Sequence, residues 1–352
     1  MIRLGVITLS IILFGCGGGG GASSSATISS GPVTISGSVQ DGYISGALVF
    51  IDTNANYIFD GPDELHPSAT TNELGEFNLT YPSGVPGGKL VSIGGTDSDT
   101  KLTDDELIYV KRDKDFSNTN LITPLSSVAA YLGNSNDIDN FFGFSRSYKS
   151  VHPATNKDSK QYQMANKLSV LSKTLREITN NLKGFSTYEL DTHVFFKLIA
   201  SSLAANYSNQ VIKIDSTVFL EQLLSNLEIN QGISISNKSD VIIAIANGLS
   251  LIQYKSEDLT NRVLKWANLS LPFQVSLAAA KASNLSHIGN LKNNIFEDVV
   301  STFSNTSTYD ATHIIPNLVL SPDSITINED TITTIDVLAN DDFMSSYPFT
   351  FS

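Results

Sequence analysis

Asp52, Asn54, Asn56, Asp60, Asp63 and Glu64 stand in one run, D-T-N-A-N-Y-I-F-D-G-P-D-E, and theirs is the spacing in this chain that could do chemistry. With Asp52 as position 1, oxygen side chains fall at positions 3, 5 and 9 and an acid at 12, the pattern by which a tight loop wraps one hard cation. Every side-chain donor in the set is an oxygen, so calcium is the expected cofactor. Asp52, Asn54, Asn56 and Asp63 would supply side-chain oxygens, Ile58 a backbone carbonyl, and Asp60 a direct or water-mediated contact; Glu64 can substitute for Asp63. Tyr57 stands where the helix-loop-helix calcium motif has glycine for a left-handed turn, and no helices are expected on either side, so the run is not an EF-hand. A second account needs no metal, since Asx side chains stabilise a long turn through local hydrogen bonds.

Other chemistries find no support. His152, His193, His287 and His313 are scattered singly, without the i, i+4 pair of a zinc helix. His193, among Leu190, Val194 and Phe196, reads as a hydrogen-bonded face residue, and Trp266 as core or a groove wall. No G-x-S-x-G occurs, and Gly88-Lys89 has Ser83 and Leu90 where a phosphate loop needs Gly and Ser or Thr. No paired acids suggest a hydrolase, so no catalytic residues are assigned and no enzyme is expected. The single cysteine, Cys16, rules out an intramolecular disulfide and a thiolate cluster.

Cys16 ends an apolar run from Leu4 to Phe14 that follows Arg3 and is too short to span a bilayer core, which takes roughly 20 residues. Residues 1–16 are therefore read as a signal peptide, and its end resembles a bacterial lipobox, with Phe14 departing from the usual pattern. That resemblance implies an acylated Cys16 as mature N-terminus, hence an anchor in a membrane. Five glycines, Gly17 to Gly21, open a Gly/Ser tether over 17–32, a flexible coil of about 20 to 25 Å root-mean-square reach. Gly17 after the cysteine is similar to lipoproteins sent to the outer membrane.

The elements that must hold the Asp52 run are strands. Alternation through Val33, Ile35, Val39, Ala47, Val49 and Ile51, then Phe77, Leu79, Tyr81, Leu90, Val91 and Ile93, with turns at Asp41-Gly42 and Ser45-Gly46, predicts a β-sandwich module over 33–118. The stretch from Ser36 to Leu79, with "DGYISGALVFIDTNANYIFD" followed by "TTNELGEFNL", resembles the repeated surface β modules of bacterial cell-wall and adhesin proteins, and in that family the loop is often calcium-bound. Gly94-Gly95-Thr96-Asp97-Ser98-Asp99, leading to Leu121-Ile-Thr-Pro-Leu, resembles an uncharacterised bacterial surface family whose TPL motif opens a helix. Thr123 before Pro124 is also a helix start by physics alone, cap then first-turn proline.

From there the period becomes helical, and a helical domain is expected over 119–312. Ala165, Leu168, Leu171, Leu175, Ile178 and Leu182 form one apolar stripe. Further helices are expected near 188–205, 216–227, 239–253, 256–268 and 272–304, with Ser216, Ser239 and Ser256 as N-caps. Val241 to Ala246 is apolar on every side, which predicts the central helix of the bundle. Strand patterning returns over 313–352. There "ITINEDTITTIDVLANDD" (Ile325 to Asp342) resembles the start of a cadherin-like tandem repeat of large bacterial adhesins, in which Glu329, Asp330, Asp336, Asn340, Asp341 and Asp342 match an acidic calcium signature. A sandwich of that kind takes about 100 residues, so a partial domain continuing past Ser352 is expected; a short terminal hairpin is the other possibility.

The expected fold class is thus multidomain α+β: an N-terminal β-sandwich, a central all-α domain and truncated C-terminal β-sandwich strands. Its 352 residues, 41% apolar, allow buried cores, and a net charge of −13 without a basic stripe excludes a nucleic-acid binder. These features together predict a non-enzymatic, lipid-anchored protein of the bacterial outer membrane or cell surface, of adhesin or matrix-contact kind, with a surface glycan or protein as ligand. The alternative is an outer-membrane glycan or nutrient-binding lipoprotein, whose sign would be an aromatic platform in a cleft, with Trp266 or Tyr254 as candidates.

Overall fold

The alternation around Ile35 does form a strand, because every second side chain there can be buried while its neighbours stay wet. In the computed structural model β1 spans Val33–Val39, and the structure describes residues 31–61, 68–81, 88–103, 108–111, 120–156, 159–184 and 191–252, with scattered positions between 264 and 279. Cys16, Asp63, Glu64, Tyr254, Trp266, Ser256, most of the two last expected helices, the 118/119 boundary and the cadherin-like segment lie outside them.

After β1 come β2 (Ile44–Ser45), β3 (Leu48–Asp52), β4 (Ser68–Thr70), β5 (Glu76–Tyr81), β6 (Lys89–Ile93), β7 (Thr96–Asp97), β8 (Ile108–Lys111) and β9 (Asn120–Ile122). Among the described residues the helices α1 (Pro124–Ala129), α2 (Asp137–Phe142), α3 (Lys160–Lys183), α4 (Thr192–Asn206), α5 (Thr217–Gln231) and α6 (Lys238–Leu251) follow. The chain is a mixed α+β protein. One sheet has the order β5-β1-β9, with β1 antiparallel to β5 and parallel to β9; a second, antiparallel throughout, has the order β4-β3-β6-β8; β2 and β7 pair alone.

The inward residues of both sheets, Ile35, Val39, Phe77 and Leu79 with Val49, Ile51, Leu90 and Tyr109, lie in the same hydrophobic cluster as Leu125, Leu168, Phe196, Leu224 and Ile245 of the helices. Sheets and helices therefore share one core. A smaller cluster of Phe50, Val91, Val110 and Ala130 fills the other face of the four-stranded sheet.

The junction is made by the Thr-Pro-Leu-Ser-Ser run. Thr123 caps α1, accepting from Ser126 N at 3.1 Å, and Pro124 occupies the first turn. Ser127 Oγ then accepts from Val110 N at 2.9 Å, and Ser126 Oγ donates to Val110 O at 2.8 Å. The unpaired backbone of edge strand β8 is thus satisfied by two serines of α1, which closes the edge.

Ser216 caps α5 as expected, accepting from Phe219 N at 3.3 Å. Two other helix expectations need correction. Asn237, left-handed at φ 52°, stands at the N-cap of α6, and Ser239 lies inside the helix. The central helix is α3 rather than α6: α3 packs against α1, α4 and α6, whereas Ile243 of α6 is 36% exposed. The expected stripe of α3 is buried from Ala165 to Ile178, and Ser169, Ser172, Thr174 and Thr179 are buried beside it. The hydroxyls of Ser172, Thr174 and Thr179 fold back on their own helix, Thr174 Oγ1 donating to Val170 O and Thr179 Oγ1 to Leu175 O, each at 2.8 Å, so these polar side chains are buried with partners.

Candidate functional site

The Asp52 loop leaves β3 at its last residue, where Asp52 is 4% exposed. Its carboxylate accepts from Ala55 N (Oδ1, 2.8 Å) and Tyr57 N (Oδ2, 3.2 Å). Asn54 Oδ1 accepts from Asn56 N at 3.0 Å, and Asn56 Oδ1 from Ile58 N at 2.8 Å. Three successive Asx turns thus wind the backbone, with Ala55 and Tyr57 both left-handed at φ 62°. Asn54 Nδ2 donates to Asp60 Oδ2 at 2.7 Å, bringing the residue-60 carboxylate across to residue 54. The structure therefore gathers Asp52, Asn54, Asn56 and Asp60 into one loop. Each amide or carboxylate oxygen has two lone pairs, so accepting one N–H leaves a second for a cation. The donor set is all oxygen and fits a hard cation such as calcium.

Tyr57 takes up the left-handed conformation that favours glycine, at a cost of about 1–2 kcal/mol. Its side chain offsets this. The Tyr57 ring stacks on His193 at a centroid distance of 3.9 Å and 21°. Lys89 Nζ donates to the Tyr57 hydroxyl and lies 4.5 Å from the Tyr57 ring centroid and 5.3 Å from that of Tyr131. The loop is thereby pinned to the first turn of α4. Burial, then the nearby Lys89 and Lys197, push the His193 imidazole down to about 4. His193 packs by stacking on Tyr57, and its Nδ1 is buried with no hydrogen-bond partner among the described residues, so the hydrogen-bonded role expected of it is corrected to a stacking one.

A second constellation joins residues far apart in the chain. Asp41, at the Asp-Gly turn after β1, and Asp97 and Asp99, in the Gly-Gly-Thr-Asp-Ser-Asp turn, surround Gly42. A Cβ added to Gly42 would stand 2.3 Å from Asp97 Oδ1 and 2.8 Å from Asp99 Oδ2. Asp41 Oδ2 accepts from the Tyr109 hydroxyl at 2.6 Å, Tyr109 Oη is 3.0 Å from Ser169 Oγ of α3, and Asp99 Oδ2 accepts from Tyr162 of α3 at 2.9 Å. Asp97 accepts from Asp99 N and from the Thr100 hydroxyl, both at 2.8 Å. Asp41 Oδ1 is buried and has no hydrogen-bond partner among the described residues.

Burial raises Asp41, opposed by Lys173. Burial, then the charge of Asp41, pushes Asp97 up to about 6. The Tyr109 and Tyr162 hydroxyls are raised well above their ordinary range, by burial first and then by Asp41 and Asp99 respectively. Each of these shifts favours the protonated form. Among the described residues no three His, Cys, Asp or Glu side chains converge as a metal would require. The Asp52 loop would draw two of its donors from asparagine and another acid from Asp63 or Glu64.

The Gly42 constellation was not foreseen as a site, although both turns were visible. Two acid-glycine turns are its only sequence signal, and nothing in the one-dimensional chain brings them together. The chain matches no protein-family model, no curated protein and no solved structure. Among the described residues no helix is long and apolar enough to cross a membrane.

Proposed function

We propose that this chain is a non-enzymatic, lipid-anchored protein of the bacterial outer membrane or cell surface, of adhesin or matrix-contact kind, whose β module is stiffened by calcium at Asp52, Asn54, Asn56, Ile58, Asp60 and Asp63 or Glu64. The observation that carries the calcium reading is the winding of the loop: alternate residues 52, 54 and 56 turn their oxygens onto consecutive backbone N–H groups while Asp60 is drawn in from the far side. Calcium would supply a positive centre for carboxylates and carbonyls that otherwise repel. Two measurements test the reading. Melting of the full chain in calcium and in chelator is expected to give a midpoint several degrees higher with the metal; equal midpoints sink the calcium assignment. Labelling of expressing cells with radioactive palmitate is expected to mark the wild type and not Cys16→Ser; label retained in the variant removes the anchor from Cys16.

The alternative, a glycan or nutrient-binding lipoprotein, is favoured by one observation, an open cavity of about 530 Å³ beside β1 and β5.

A further inference from the structure

That cavity is lined by the outward residues of two paired strands. Along β1 and β5, Thr34 faces Thr80, Ser36 faces Asn78 and Ser38 faces Glu76. The pairs form a polar ladder, with Thr34 Oγ1 2.9 Å from Thr80 Oγ1 and Ser36 Oγ donating to Asn78 Oδ1 at 2.6 Å. At the far end the ladder meets Gln40, which is 2% exposed; its Nε2 donates to Ser38 Oγ at 3.0 Å and lies 3.5 Å from His152 Nδ1. Half-buried Tyr43 and 52%-exposed Leu74 also line the cavity.

The lining selects a ligand class. Among the described residues no lysine or arginine lines the cavity, so a phosphate or other anion finds no counter-charge from them. Among the described residues Glu76 is the one acid in the lining, which is too little for a polycation. A lipid chain buried there would leave the Ser36, Ser38, Gln40 and Asn78 side chains without partners. What remains suits a neutral polyhydroxylated ring. Ser38 accepts from Gln40 and keeps its own O–H to donate. Glu76 Oε2 accepts from Asn72 Nδ2 at 2.9 Å, leaving Oε1 to accept from a ligand. Tyr43 and Leu74 supply apolar surface for the C–H face of a pyranose. The volume falls within the ~300–1,000 Å³ of small-molecule sites.

We infer that the cleft over Ser36, Ser38, Glu76 and Asn78, walled by Tyr43 and His152, binds a neutral saccharide. The inference deepens the glycan-binding reading and is independent of calcium and of the anchor, so it can fail or stand apart from them. Isothermal titration of the full chain with maltotriose, cellotriose and triacetylchitotriose, and with sialyllactose as anionic comparator, tests it. At least one neutral trisaccharide is expected to bind saturably, with Tyr43→Ala and Glu76→Gln each weakening it tenfold or more while the melting midpoint stays near wild type, and with sialyllactose silent. Absence of saturable heat from all three neutral sugars overturns the proposal. So does an affinity that neither variant changes, or equal binding of sialyllactose.

Discussion

At pH 7.5 the Asp97→Asn protein is expected to be more stable than wild type, and at pH 4 the advantage is expected to have nearly gone. Asp97 titrates at about 6 in the folded chain against 3.8 as an ordinary carboxyl. Its folded state therefore binds a proton more tightly than its unfolded state. Stability from this group is fully present below pH 3.8 and is lost as pH rises through 6. Above that the folded protein holds a buried carboxylate near Asp41, at a cost of roughly 3 kcal/mol. Asparagine removes the charge, and its amide can still accept from Asp99 N and donate to Thr100 Oγ1. Urea unfolding at the two pH values checks it; an equal gain at both would show that the gain does not come from the Asp97 charge.

The same variant should expose a second titration. His193 is held down to about 4 from an ordinary 6.5, so its contribution is present above 6.5 and is lost as pH falls through 4. Between about 4 and 6 Asp97 and His193 act in opposite directions, and wild type is expected to vary little there. Without the Asp97 carboxyl the His193 loss is left less opposed, and the variant's stability should fall more steeply below pH 6.5.

Gly37→Ala is expected to be among the most destabilising single-methyl changes in the chain. The added Cβ would lie 2.0 Å from Asn120 O, 2.8 Å from Asn120 C and 2.8 Å from Phe77 Cζ. The first two are backbone atoms of β9, so no rotamer change relieves the clash. Relief means parting β9 from β1, losing the parallel pairing over Gly37, Ser38 and Val39 and the bond from Gln40 N to Ile122 O at 2.9 Å. Overpacking of this kind costs about 3 kcal/mol or more, a large share of the ~5–15 kcal/mol that holds a domain folded. Gly133→Ala is the control, since nothing lies within 4 Å of its added Cβ. Denaturant midpoints that fall alike in both variants would refute the steric argument.

Local physics was legible in the sequence wherever one element sufficed to state it. Thr123 before Pro124, Ser216 before α5 and the stripe from Ala165 to Ile178 needed only caps and a period. The centrality of α3 was hidden because its serines and threonines count as polar in any periodicity, while in the helix they return their hydrogens to its carbonyls. Val241 to Ala246 misled for the opposite reason, since apolar side chains on every face do not require a partner on every face. At the Asp52 loop the gathering of Asp52, Asn54, Asn56 and Asp60 was readable by spacing. The tolerance of Tyr57 for a left-handed turn was not, because it rests on His193 and Lys89, both remote in the chain. Asp41, Asp97 and Asp99 meet only through the tertiary fold.

The parallel pairing of β1 with β9 has a temporal meaning. A chain that emerges from a ribosome or a secretion channel does so from its N-terminus, and β1 must wait for a partner far downstream before its second edge is covered. Tyr162 and Ser169 arrive later still, on α3, where Tyr162 bonds Asp99 and Ser169 lies beside Tyr109, and Phe196 of α4 then packs on the Tyr109 ring. Since α4, α5 and α6 follow α3 in the chain, the core shared by sheets and helices closes only when its C-terminal part packs.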